Sequence, residues 1–127
     1  MRRHSRLIHF SREHHLALRL ARHASAVGDV ASLDEVRRQI LAVRDDLLRH
    51  FRAEEEELLA ELAARGESLL RERLLCEHLA LSALLEAPDD VDSLHRLGEL
   101  LRAHVHFEER ELFPALEAGW GAPWAGR

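Results

Sequence analysis

The chain has 127 residues, enough for one domain, and is 46% hydrophobic and 32% charged. Its 18 basic residues, all Arg, stand against 23 acidic ones, and the net charge of -5 argues against a nucleic-acid partner. One cysteine excludes an internal disulfide framework. No apolar run reaches the roughly 18 residues of a membrane span, and MRRHSRLIHF lacks the apolar stretch of a secretory signal, so a cytoplasmic, membrane-free protein is expected. Ten His and no Tyr make histidine the informative residue type.

The segments between Gly28-Asp29, Gly66 and Pro88-Asp89-Asp90 are rich in Leu, Ala, Arg and Glu, all good helix formers. Thr is absent, which gives strands little support. A first helix is predicted from about Ser5 to Val27, with Leu7, Phe10, Leu18 and Ala21 on its inner stripe. A second starts at Ser32 with a Ser32/Glu35 capping box and runs to about Arg65, burying Val36, Ile40, Val43 and Leu47. A third covers about Glu67 to Glu86 with Leu70, Leu74, Leu81 and Leu85 inward. Asp90 or Asp92 caps a fourth, which carries Leu94, Leu97 and Leu101 and ends near Glu117. Gly98 lies inside it and counts slightly against a helix there, and Pro114 should kink or shorten its last turns. Four amphipathic helices with short loops predict an all-α, up-down-up-down four-helix bundle over residues 1–118. Residues 119–127 form a tail whose Trp120 and Trp124 are placed to cover one bundle end.

Residues 50–62, HFRAEEEELLAEL, align without a gap on residues 104–116, HVHFEERELFPAL, with six identities in 13 positions. Each block follows a helix bearing a Glu-His pair, Glu13-His14 in one and Glu77-His78 in the other. The chain therefore reads as two similar helical hairpins. Residues four apart share a helix face, so His50 and Glu54 point one way, as do His104 and Glu108. Leu47 and Leu101, three residues before the two histidines, put those faces toward the core, and His14 and His78 likewise continue apolar stripes.

Six ionisable groups aimed into one core are costly without partners, because an unpaired buried ion costs several kcal/mol. A metal ion satisfies neutral imidazole and carboxylate together, and iron, manganese and zinc all suit that donor set. The alternative is a metal-free bundle whose histidines are hydrogen-bonded to buried glutamates, an interaction module only. His15 points about 100° away from His14, toward solvent, so the face favours His14. His106 turns from His104, and the His9/Glu13 and His95/Glu99 pairs read as solvated. His4 and His23 are expected at the surface, and Cys76 as a small packing residue. Glu57 and Glu111 are either partners of the ligands or solvated. Glu55 and Glu109 are expected to be exposed, or else to be alternative ligands. The ferritin-like Glu-x-x-His pattern is absent, since Ser11, Leu47, Leu75 and Leu101 precede the four histidines by three.

This pattern resembles the hemerythrin-like (HHE cation-binding) domains over nearly the whole chain, and HVHFEERELFPAL carries the likeness most specifically. The resemblance implies a four-helix bundle holding a non-haem di-iron centre, with an oxo or hydroxo bridge and two bridging glutamates. Carried over by position, His14, His50, Glu54, His78, His104 and Glu108 are the metal ligands. Oxygen-carrying members have two histidines one turn apart on the third helix. Here Leu74 and Ser82 flank His78, so one imidazole is missing. Those carriers also place an acidic residue five after the fourth-helix histidine, which is Glu109 here; the internal repeat favours Glu108, and both stay open. Four histidines divide as two per iron and leave both irons short of six ligands, open to water, dioxygen, peroxide or nitric oxide. The function expected from this is binding or sensing of dioxygen or a related small oxidant. The alternatives are a di-iron peroxidase or oxidase and an iron-handling protein.

Overall fold

A computed structural model describes residues 3–120. Helix α1 spans Ile8–Ser25, α2 Val30–Ala64, α3 Ser68–Glu86 and α4 Val91–Phe107. A single π turn, Glu108–Leu112, joins α4 to α5, Phe113–Trp120, without a break. The chain thus forms four rods, each packed on the next and the fourth closing on the first, with α1 and α4 in the most extensive contact. Among the described residues no strand is formed, and no helix is long and apolar enough to cross a membrane.

The helix boundaries follow local chemistry. The expected Ser32/Glu35 box is displaced by three residues: Asp29 is the cap, its carboxylate accepts from the Ser32 N–H at 2.8 Å, and Ser32 Oγ accepts from the Asp29 N–H at 3.1 Å. Asp and Ser are comparable caps, Asp29 adds a charge that faces the positive helix end, and Glu35 pairs instead with Arg38. Gly66, at φ 72°, ends α2. The Glu67 N–H returns to the Leu62 carbonyl and the Gly66 N–H to Ala63, a turn that needs a left-handed residue. Asp90, not Asp92, caps α4. The first helix begins three residues later than expected because residues 4–7 form a separate turn, closed by the Leu7 N–H to the His4 carbonyl. Leu18 is only partly buried, and Ala17, Leu20 and Ala24 take the inner positions.

Two of the breakers act differently from expectation. Gly98 keeps the cost of a glycine inside a helix, yet α4 runs through it unbroken, and it lets α1 and α4 meet. A Cβ there would lie 2.8 Å from the Ala21 carbonyl oxygen and 2.3 Å from Ser25 Oγ. Pro114 does not end the fourth rod. Its ring would clash with the carbonyl four residues back in a regular helix, and the wider π turn just before it relieves that clash. The helix continues through Gly119 to Trp120, beyond the expected start of the tail. Trp120 covers one bundle end, with its Nε1 donating to Glu61 and Arg6 stacked 4.0 Å from its ring. Trp124 lies outside the described residues.

The core is split into two apolar clusters. One is built from residues such as Leu20, Ile40, Leu47, Leu81, Leu97 and Leu101. The other includes Phe10, Leu58, Leu74, Phe107, Leu112 and Phe113. His14 and His78 fall between the two clusters on their helices, and His50 and His104 lie at the edge of the first cluster, which makes a polar layer across the bundle.

Candidate metal centre

Each rod contributes to that layer. His14 comes from α1, His50 and Glu54 from α2, His78 from α3, His104 from α4 and Glu108 from the π turn. All six side chains are buried, and Glu54 and Glu108 are completely so. Their donor atoms gather into two groups: His14, His50, Glu54 and Glu108, and then Glu54, His78, His104 and Glu108. Within each group the atoms lie within 4.8 Å of one another. Both carboxylates belong to both groups, and each group takes its two histidines from one hairpin.

The imidazoles have fixed orientations. Every Nδ1 sits 2.7 Å from a carboxylate on a neighbouring rod: His14 on Glu109, His50 on Glu13, His78 on Glu55 and His104 on Glu77. An ionised carboxylate can only accept, so Nδ1 carries the proton and Nε2 turns its lone pair inward. His14 Nε2 lies 2.7 Å from Glu108 and His78 Nε2 3.0 Å from Glu54. His50 Nε2 is 3.3 Å from Glu54 and His104 Nε2 3.4 Å from Glu108. Lone pairs thus face carboxylate oxygens, and only cations or added protons can sit between them. Glu54 Oε2, His104 Nε2 and Glu108 Oε2 are fully buried without a hydrogen-bond partner. Orphans of this kind are rare in native proteins and are costly. A neutral-imidazole and carboxylate donor set with stranded inward atoms fits metal ions.

The electrostatics agree. Burial, and then the neighbouring Glu108 charge, push the Glu54 carboxyl well above its usual range. Burial also works against ionised Glu108, but the His104 charge and the His104 and His14 hydrogen bonds outweigh it and hold Glu108 well below its usual range. Burial would lower His104, yet Glu108 and Glu77 raise it to about 9. His14 is raised against its burial by Glu108 and Glu109. Burial prevails at His50 and His78, which are lowered. Without a metal the layer must therefore hold protons where cations fit.

Several sequence expectations need correction. Glu55 and Glu109 are neither free nor in the inner layer; they are the acceptors behind His78 and His14. Glu13 forms no solvated pair with His9, because it supports His50. His95 bonds the Val27 carbonyl at 2.6 Å, and not Glu99. His4 is buried, with its N–H on Glu117. Cys76 is exposed, since it sits on the outer face of α3. His15 and His106 face solvent, and Glu57 and Glu111 are half-exposed and outside the layer. His23 is partly buried against Gln39.

Glu13 and Glu77 also lie in the internal repeat, and their supporting role is not visible from the face of their own helices. A residue next to a ligand on a helix points about 100° away, toward the adjacent rod. Glu13 and Glu77 precede the histidines of α1 and α3, and Glu55 and Glu109 follow the inner glutamates. The repeat therefore encodes one inner and two outer carboxylates per hairpin, and its symmetry extends to the partners: Glu13 with His50 answers Glu77 with His104, and Glu55 with His78 answers Glu109 with His14.

Beside the layer, a groove of about 980 Å³ runs between α1 and α2, with His50 and Glu13 among its walls. No curated protein and no solved structure matches the chain. The sequence family described as the Hemerythrin HHE cation binding domain matches residues 6–116, which include all six inner residues and all four outer carboxylates. The chain belongs to the hemerythrin HHE cation-binding domain family.

Proposed function

We propose that this chain is a cytoplasmic non-haem di-iron protein whose centre binds or senses dioxygen or a related small oxidant, such as peroxide or nitric oxide. The observation that carries the reading is the sharing of Glu54 and Glu108 between two pairs of histidines. One ion would use only one pair, whereas two ions use all six inner residues. In this reading His14 and His50 would hold one ion and His78 and His104 the other, with Glu54 and Glu108 available to both. Iron bound there supplies electrons and positions at which a small oxidant binds.

The remaining work belongs to the chain. The outer carboxylates keep each Nδ1 proton in place, so the imidazoles present Nε2 with no rotation needed. Phe51 stacks on His78 at 4.5 Å, Phe113 lies parallel to His14 at 5.8 Å, and Phe10 meets the edge of His50 at 5.7 Å. These rings and the two apolar clusters exclude water and fix the imidazole planes. Four histidines and two carboxylates are few donors for two ions, which favours a reactive centre over a reversible carrier. The groove favours a second reading, a peroxidase or oxidase, because it lets molecules larger than dioxygen reach the edge of His50.

The test is anaerobic loading with iron(II), followed by dioxygen or peroxide, with absorption recorded throughout. Prompt, iron-dependent spectral change is expected. A chain that holds iron but responds to neither oxidant contradicts the proposal. Saturable turnover of peroxide that is lost in His50→Ala selects the enzyme reading.

A further inference from the structure

Two of the four outer carboxylates carry a guanidinium: Glu77 takes the half-exposed Arg73 of its own helix at 2.8 Å, whereas the cation on Glu109 is buried and comes from another segment. Glu109, behind His14, is held by a buried guanidinium from outside the four rods. Arg3 is 9% exposed. Its Nη2 donates to Glu109 Oε1 at 3.0 Å and to the Glu109 carbonyl at 3.1 Å, and its Nη1 donates to Glu117 Oε1 at 2.6 Å. Ser11 Oγ donates at 2.7 Å to Glu109 Oε2, the oxygen that also takes the His14 Nδ1 proton. Glu55, the counterpart of Glu109 in the repeat, has no such cation on it among the described residues.

A buried guanidinium is costly unless its donors are used, and here they are spent on two carboxylates and a carbonyl. With both of its oxygens engaged, Glu109 has a single position, and His14 inherits that position. We infer that Arg3 is a positioning residue for the metal centre: acting through Glu109, it fixes the His14 imidazole and makes retention of the ion served by His14 and His50 depend on the segment before α1. The inference rests on the two-ion reading above. It gives the two halves of an internally repeated site different supports, one tied to the start of the chain and one not.

Cobalt(II) is the probe, because its visible bands report donor geometry without turnover. The full chain, Arg3→Gln and Arg3→Lys are loaded with cobalt(II), and release to excess chelator is followed. Loss of a partner behind a metal-bound histidine typically weakens binding by about 10–100-fold. Arg3→Gln should therefore release one of two cobalt ions at least about tenfold faster, with altered bands for that ion, and leave the other unchanged. Arg3→Lys should restore part of the effect, since an ammonium keeps the charge but not the fork that reaches both Glu109 and Glu117. Arg6→Ala, which loosens Trp120 at the same bundle end without touching Glu109, should leave release unchanged. If Arg3→Gln does not fold, Ser11→Ala removes the other donor to Glu109 and should show the same one-ion effect, more weakly. Two ions lost at the parent rate overturn the inference, as do two ions accelerated equally by Arg3→Gln and Arg6→Ala. A parent chain that takes up no cobalt overturns the two-ion reading itself, and the inference with it.

Discussion

The two inner glutamates look alike in the sequence, yet replacing them should have opposite effects on the metal-free protein. Glu54 approaches His50 at 3.3 Å and His78 at 3.0 Å, and burial keeps both imidazoles neutral. Glu54→Leu therefore strands no cation. It removes a fully buried carboxyl with an orphaned oxygen, whose burial costs several kcal/mol. Against this, His78 Nε2 loses its partner, at about 1–2 kcal/mol. The net expectation is stabilisation by about 1–3 kcal/mol. Glu108 approaches His14 at 2.7 Å and His104 at 3.4 Å, and both imidazoles are raised. Glu108→Leu strips both imidazoles of their inner carboxylate and leaves each only its outer one, Glu109 or Glu77, and breaking a buried pair in this way costs about 3–5 kcal/mol. At about 4 °C per kcal/mol for a chain of this size, chelator-treated Glu54→Leu should melt above the parent and Glu108→Leu more than 10 °C below it. Added metal should raise the Tm of the parent only, because both groups lose a donor in either variant. The assay is thermal unfolding by circular dichroism at pH 7, with and without metal. Equal shifts in the same direction for the two variants, or full metal stabilisation of either, would refute the assignment of charge within the layer.

Further outcomes follow from single residues. His104 stands at about 9 in the fold against about 6.5 unfolded, so its contribution is complete below pH 6.5 and is lost as pH rises through 9. His50 and His78, lowered by burial, act only below pH 6.5, so urea midpoints of the metal-free chain should fall between pH 6.5 and 9.5, and a flat profile would contradict this. Gly98→Ala should destabilise by up to about 2 kcal/mol: overpacking against the Ala21 carbonyl costs about 1–3 kcal/mol, and the gain in helix propensity returns about 1 kcal/mol. A raised Tm would show that α1 and α4 can separate freely. Glu55→Gln keeps the shape behind His78 but not the charge, and should weaken metal binding by about 10–100-fold without unfolding the chain; unchanged affinity in a competition titration would deny Glu55 that role.

Much of this arrangement is written locally. The i, i+4 spacing of His50 with Glu54 and of His104 with Glu108, set on leucine stripes, is enough to predict that both pairs face inward. The choice of His14 over His15 follows from the same reasoning, and the structure buries His14 and exposes His15. Between Glu108 and Glu109 spacing alone could not decide, because a helix that turned slightly would exchange them. The π turn starting at Glu108 and the position of α1 place Glu108 in the layer and Glu109 behind His14. Glu13 was misread because the rule for a solvated face sees only its own helix, and its partner is His50 on another. His4 and Arg3 were illegible for a related reason. A polar residue outside the helices has no periodicity to reveal that Glu117, more than 100 residues away, will bury it. Gly98 and Pro114 carry general penalties in a helix, and only packing turns one into a close-approach point and the other into a tolerated neighbour of a π turn.

The most direct test of the central claim is the metal content of protein purified without added metal or nickel affinity, with an absorption spectrum of the same sample. About two irons per chain, falling to about none in a His50→Ala, His104→Ala double variant that still folds, is the expected result. A chain that contains no metal and takes up none when iron(II) is added anaerobically would contradict it, and would leave the buried layer as a hydrogen-bonded core alone.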